Sequence, residues 1–230
     1  MSGDRVEPDA RAQAEARAYA PSPGSHAGRV ILVTGASDGI GQALALALAR
    51  QGATVALLGR TQRKLARTYD RILEAGGPEP ALLPFNLETA AAPDYEALAE
   101  AIDREFGRLD GLAHVAGILG DLSPIDQYDV PTWCRVLHVN LTAAFIVTRT
   151  LLPLLRRSED ASVVFTSSSV GRRGRAYWGA YAASKFGVEG LMQVLAHELL
   201  EARAVAVEAS KWGRSRTELP DIHVRGDAEL

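Results

Sequence analysis

Val30-Ile31-Leu32-Val33-Thr34-Gly35-Ala36-Ser37-Asp38-Gly39-Ile40-Gly41 is the stretch on which the fold turns. Its first four residues are apolar and mostly β-branched, which is the composition of a buried strand. The glycine-rich turn then gives way to an alanine- and leucine-rich run, Gln42 to Arg50, with the composition of a helix. Strand, glycine turn and helix in that order build a phosphate-binding corner. Glycines let the backbone come close to a pyrophosphate, and the helix N-terminus offers free N–H groups and a positive partial charge. A tight βα turn without a ligand has the same pattern; the flanking strand and helix favour binding.

Outward from this corner the chain alternates apolar strand-like runs with helix-like ones. Strands are expected near 29–34, 53–58, 80–85, 110–115, 161–167 and 204–209, and helices near 39–51, 61–75, 93–106, 131–156 and 179–202. Such alternation, with nearly continuous apolar strands, predicts an α/β fold of the Rossmann type: a doubly wound parallel sheet with helices on both faces. The sequence shows neither an internal repeat nor a second domain. Residues 1–28 are rich in Ala, Arg, Glu, Asp and Pro and read as a flexible tail, 29–217 as the α/β domain, and 218–230 as a short divergent tail.

Bulk properties narrow the function. The 230 residues are 47% hydrophobic and 23% charged, which suits one α/β domain with a sizeable core. A net charge of −3 and a pI near 6.0 give no reason to expect nucleic acid or a membrane surface. No apolar run is read as reaching the roughly 18–20 residues needed to span a bilayer. The first residues lack the apolar core of a signal peptide, so a cytoplasmic protein is expected. The single cysteine, Cys134, sits in a helix-like stretch and reads as packing.

Chemistry enters with Tyr181-Ala182-Ala183-Ser184-Lys185. Residues four apart on a helix share a face, so a phenol and an ammonium meet there. A phenol with a pKa of about 10 is a poor proton carrier at neutral pH, and a fixed positive charge beside it would lower that pKa. Alone the pair also fits an ordinary surface helix. A serine cluster upstream, Ser167-Ser168-Ser169, has its own plain reading as a turn former.

Taken together, Thr34-Gly35-x-x-x-Gly39-x-Gly41, Ser168 and Tyr181-x-x-x-Lys185 resemble the short-chain dehydrogenase/reductase family over about Arg29 to Thr217. The phrases around Val33–Gly41 and Phe165–Gly171 resemble its bacterial YciK-like branch. The resemblance implies hydride transfer between a nicotinamide cofactor and a carbonyl or alcohol substrate. It assigns Ser168 to the substrate oxygen, Tyr181 to general acid/base work, Lys185 to the nicotinamide ribose and the tyrosine pKa, and Asn140 to a water held by its backbone carbonyl. It also implies that Thr34, Gly35, Ser37, Asp38, Gly39, Ile40, Gly41, Asn86, Leu87, Ala116, Gly117, Gly213 and Thr217, together with Tyr181 and Lys185, border the cofactor. Gly59 stands at the end of the second strand, where an acid would hold a ribose hydroxyl, and Arg60 follows it, which favours NADP(H) over NAD(H). Asp38, where NADP-preferring relatives often carry a basic residue, points the other way. His114 and Val115 depart from the family pattern, and His114 reads as structural. Arg172, Arg173 and Arg175 read as a solvated basic loop or as a lure for an anionic substrate, and Tyr177 as lining the substrate mouth or packing.

The last portion departs further. Trp212 replaces the family's proline, Glu208, Ser210 and Lys211 bring polar groups into the sixth strand, and with Leu230 as the last residue neither a substrate lid nor a seventh strand is expected. An alternative of another class is therefore a truncated or pseudoenzyme form that binds cofactor or a partner without turnover. The helices near 131–156 and 179–202 resemble those through which relatives dimerise, so a homodimer is expected.

Overall fold

The apolar run at Val30 becomes the centre of a parallel sheet. The computed structural model describes residues 21–202 and 205–211. Its strands are β1 (Val30–Thr34), β2 (Thr54–Gly59), β3 (Ala81–Pro84), β4 (Gly111–His114), β5 (Ala161–Ser167) and β6 (Val205–Lys211). They lie in the order β3-β2-β1-β4-β5-β6, every neighbouring pair parallel. The order reverses at β1, whose Val33 is paired with Leu57 on one side and Ala113 on the other. A crevice opens at the carboxyl ends of the strands at such a reversal, and ligands of open α/β sheets bind there.

Helices cover both faces: α1 (Gly39–Arg50), α2 (Gln62–Glu74), α3 (Ala92–Phe106), α4 (Val130–Leu137), α5 (Ala143–Leu155) and α6 (Gly179–Ala202). Successive β1 side chains point to opposite faces. Ile31 and Val33 join Leu44, Leu48, Leu57, Leu65 and Ile72 under α1 and α2. Val30 and Leu32 join Tyr95, Ile102, Val147, Leu151, Phe165 and Val188 under α3, α5 and α6. Each fully buried large side chain contributes roughly 1.5–3 kcal/mol of transfer free energy, so a strand apolar on both faces is what a two-sided core requires.

Some expectations need correction. The helix foreseen at 131–156 is interrupted at His138–Thr142 by a π-helical turn with Asn140 at its middle. Counting through that turn, Val130–Leu155 is 26 residues long with a mean hydropathy of 1.3, so it does meet the length and composition of a membrane span. Its apolar side is core: Val136, Val147, Leu151 and Leu155 are buried in this fold. Cys134 is exposed rather than packed. Residues 21–28 are part of the folded body, tied by the His26 N–H to the Gln51 carbonyl at 3.0 Å and by Arg108 to the Gly28 carbonyl at 2.9 Å. Despite its polar residues, Val205–Lys211 pairs along its whole length with β5. Residues 1–20 and 212–230 lie outside the described residues, and with them Trp212, Gly213, Thr217 and the expected absence of a lid and last strand.

Candidate active site

The turn after β1 is shaped by what has no side chain. Gly35 adopts a left-handed φ of 71°, and a Cβ there would press on the Ala116 backbone at 3.0 Å. A Cβ on Gly41 would overlap the Gly35 carbonyl, so α1 can start this close to β1 only with glycine at that place. Gly39 and Ile40 open the helix, and Asp38 caps it by accepting the Gly39 N–H at 2.8 Å. Thr34 faces inward. Its hydroxyl accepts the N–H groups of Val115 and Ala116 at 3.0 and 3.1 Å, so it fastens the β4 loop from behind rather than facing the crevice.

In front of this corner lies a cavity of about 260 Å³. Gly35, Ser37, Asp38, Arg60, Asn86, Leu87, Ala116 and Gly117, all anticipated, line it together. Gly59 keeps it open, since a Cβ there would meet Leu65 at 3.1 Å and the Ser37 hydroxyl at 3.3 Å. Among the lining residues that were missed, two are charged. Lys64, in the first turn of α2, pairs with Asp38 at 2.8 Å and holds that carboxyl below its usual range. Glu88 faces Arg60 at 3.8 Å and Arg135 at 4.0 Å. The signal for Lys64 was present: four residues after Arg60 on a helix beginning there, it must project toward the same end of β2. Asp38 is thus half of an ion pair.

Beside the cavity stands the acid/base cluster. A Cβ on Gly117 would lie 3.2 Å from Asn140 Oδ1 and 3.9 Å from Lys185 Nζ, which marks how closely cavity and cluster adjoin. Asn140 is buried and fully engaged. Its Oδ1 accepts the Ile118 N–H at 2.8 Å, and its amide donates to the Ile118 carbonyl at 2.9 Å and to Ser184 Oγ at 3.0 Å. Lys185 is 4% exposed and donates to the Thr166 carbonyl at 2.7 Å; burial lowers its pKa to about 8. Its Nζ sits 5.6 Å from the centre of the Tyr181 ring.

Tyr181 behaves differently from expectation. Its pKa is raised, because burial disfavours the phenolate more than a hydrogen bond with Ser168 favours it. Lys185 points its ammonium at Thr166 and does not dominate the phenol. Ser168, at the end of β5, also caps the short turn Ser169–Gly171 through the Val170 N–H at 3.4 Å. Burial holds His114 neutral, with a pKa lowered to about 3. Its ring stacks on Phe165 at 4.7 Å and its Nε2 meets Thr148 at 2.8 Å, a structural role as read from the sequence. Arg172, Arg173 and Arg175 are all exposed, and the guanidinium of Arg172 is tied to Glu189. Tyr177 is exposed with a left-handed φ of 72°, and its carbonyl accepts the Ser123 N–H at 3.1 Å.

Known proteins resemble this chain in sequence and fold. The model of the short chain dehydrogenase family matches residues 29–222. The uncharacterized oxidoreductase YciK of Escherichia coli K12 is 52% identical over 74% of this chain, and the match spans 68% of that relative. A protein of Pseudomonas syringae described as a short chain dehydrogenase superposes with a TM-score of 0.85 at 54% identity, covering 86% of this chain and 81% of that one. A short chain dehydrogenase structure from Shigella flexneri, complexed with NADP, superposes with a TM-score of 0.78 at 48% identity, covering 80% and 76%.

Proposed function

Because the chain belongs to the short chain dehydrogenase family, we propose that it is an NADP-dependent oxidoreductase acting on a carbonyl or alcohol substrate, with Tyr181 as general acid/base. The observation that carries this reading is the meeting of Ser168, Tyr181 and Lys185 at the edge of a glycine-shaped cavity. The cradle fits the cofactor: Gly35, Gly41, Gly59 and Gly117 each stand where a Cβ would crowd the backbone or a neighbouring side chain. Gly35, Ser37, Gly39 and Ile40 would hold the pyrophosphate, Asn86 and Leu87 the adenine side, and Ala116 and Gly117 the middle. Arg60 and Lys64 supply the positive charge that suits a ribose phosphate, and a relative binds NADP.

When bound, the nicotinamide group supplies or accepts the hydride. The chain's own residues handle the proton. Ser168 orients the substrate oxygen by hydrogen bonding, and the Tyr181 O–H donates its proton to that oxygen during reduction and takes one back during oxidation. The burial that raises the phenol's pKa keeps it protonated and ready to donate. Lys185, with a pKa of about 8, is mostly charged at neutral pH and stabilises the phenolate left behind. Asn140 holds the Gly117–Ile118 loop against α6, which keeps the cavity edge and the acid/base cluster in register.

A screen of carbonyl compounds with NADPH, with Tyr181→Phe as control, tests the reading. Turnover is expected to fall by roughly 100-fold or more in the variant, the ordinary contribution of a positioned acid. Equal turnover in the variant contradicts it, and NADPH binding without turnover on any substrate favours a cofactor-binding module instead. Under the same reading the protein is cytoplasmic and works as a homodimer through the helices at 131–156 and 179–202, where Phe145, Phe186 and Val194 are exposed. Sedimentation giving a clean monomer at micromolar concentration contradicts the dimer.

A further inference from the structure

The strongest observation left unused by this mechanism is a buried carboxylate. Glu189 is 6% exposed and lies on the same face of α6 as Tyr181 and Lys185, at successive steps of four residues. An uncompensated charge at such a place is costly. Here the compensation is specific: Glu189 Oε1 accepts the Ser167 hydroxyl and Arg172 Nε at 3.2 Å, and Oε2 accepts Arg172 Nη2 at 3.2 Å. Ser167 and Arg172 are the two ends of the turn that carries Ser168. Between them, Gly171 rests directly on α6, where a Cβ would lie 2.9 Å from Lys185 Cβ and 3.0 Å from Ser167 Oγ. One carboxylate therefore grips both flanks of the serine turn, while the glycine fixes its distance from the helix.

We propose that Glu189 is a positioning residue: through Ser167 and Arg172 it holds the 167–172 turn on α6, and so keeps the Ser168 hydroxyl against the Tyr181 phenol. The inference rests on the reading of Tyr181 as the acid/base. The pair is half-buried, with Glu189 inside and the Arg172 side chain 52% exposed, so it adds little net stability, but its two-point fork fixes the turn in one orientation. The groups facing the phenol are Ser168 and, at 5.6 Å, Lys185; His114, near Lys185, is neutral.

The test reads Tyr181 directly and needs no substrate. Stopped-flow pH jumps record tyrosinate absorbance before the alkaline chain can unfold, and subtraction of the Tyr181→Phe variant isolates the one phenol. Ser168→Ala should raise the Tyr181 midpoint by roughly 0.5–1 pH unit, the effect of one hydrogen bond of ordinary net strength. Glu189→Gln should raise it comparably, and the double variant should go no higher than Ser168→Ala alone. Simple removal of a negative charge predicts the opposite sign, since a phenolate forms more easily without an anion nearby. A midpoint unchanged or lowered in Glu189→Gln, or additive shifts in the double variant, would overturn the proposal. Should Glu189→Gln not fold, Arg172→Lys keeps the charge but loses the fork, and an unmoved midpoint there overturns it equally. Failure of the oxidoreductase reading would show separately, as absent NADPH binding with the phenol shifts intact.

Discussion

Lys185→Met should make the protein more stable at neutral pH while abolishing its chemistry. Lys185 is 4% exposed and donates one hydrogen bond, to the Thr166 carbonyl at 2.7 Å. Burial has lowered its pKa from 10.5 to about 8. For a base whose folded pKa lies below its unfolded value, the unfolded chain binds more protons between the two, so wild-type stability rises as pH climbs from about 8 to 10.5. Below pH 8 the full cost of the buried ammonium is present, about 3 kcal/mol at ~1.4 kcal/mol per unit. Methionine removes that cost but leaves the Thr166 carbonyl unbonded, worth about 1 kcal/mol. The net expectation at pH 7 is a gain of about 2 kcal/mol, a rise of about 5 °C in Tm for a chain of this size. The gain should shrink through pH 8–10, vanish near pH ~10 and give way at higher pH to a loss of about 1 kcal/mol, the Thr166 bond alone. Urea denaturation at pH 7 and pH 10 measures both ends. A variant less stable than wild type at pH 7, or a stability difference that ignores pH, would refute the reasoning.

Two further outcomes follow from the same geometry. His114 is neutral in the fold, with a pKa of about 3 against 6.5 when exposed, so its contribution is intact above pH 6.5 and is lost as pH falls toward 3. His114→Gln, which retains a partner for Thr148, should shift the acid-unfolding midpoint downward in a pH titration followed by circular dichroism; an unchanged midpoint contradicts it. Gly41→Ala drives a methyl into the Gly35 carbonyl and should cost about 1–3 kcal/mol in urea unfolding together with roughly tenfold or more in NADPH affinity. Wild-type values for both would mean the corner is looser than drawn.

Much of the fold was legible because its strands are buried on both faces. Val30–Val33 and Val55–Leu58 had to be apolar along their whole length, and such runs between helical stretches admit few topologies. The glycine corner was legible for the same steric reason that Gly41 cannot carry a side chain. What escaped depends on side-chain partners distant in sequence. Nothing near Arg172 announces that it forks onto Glu189, nor that Lys64 neutralises Asp38, because these pairs are set by how α6 and α2 lie on the sheet. The direction of the Tyr181 shift escaped as well: spacing shows that a lysine is near, but only the fold shows that burial prevails and that the ammonium is aimed at Thr166. Asn140 was singled out through the family resemblance, and the π-helical turn around it appears only in three dimensions.

The most direct test of the account is a fluorescence titration of the purified chain with NADPH and, separately, NADH, repeated on Arg60→Met. Arg60 is 68% exposed at its side chain and already shares Glu88 at 3.8 Å, so its bond to a ribose phosphate is worth no more than about 1–2 kcal/mol. Saturable binding is expected, with NADPH preferred by roughly 5- to 30-fold and most of that preference lost in the variant. Binding of neither cofactor, or a preference for NADH, would contradict the account.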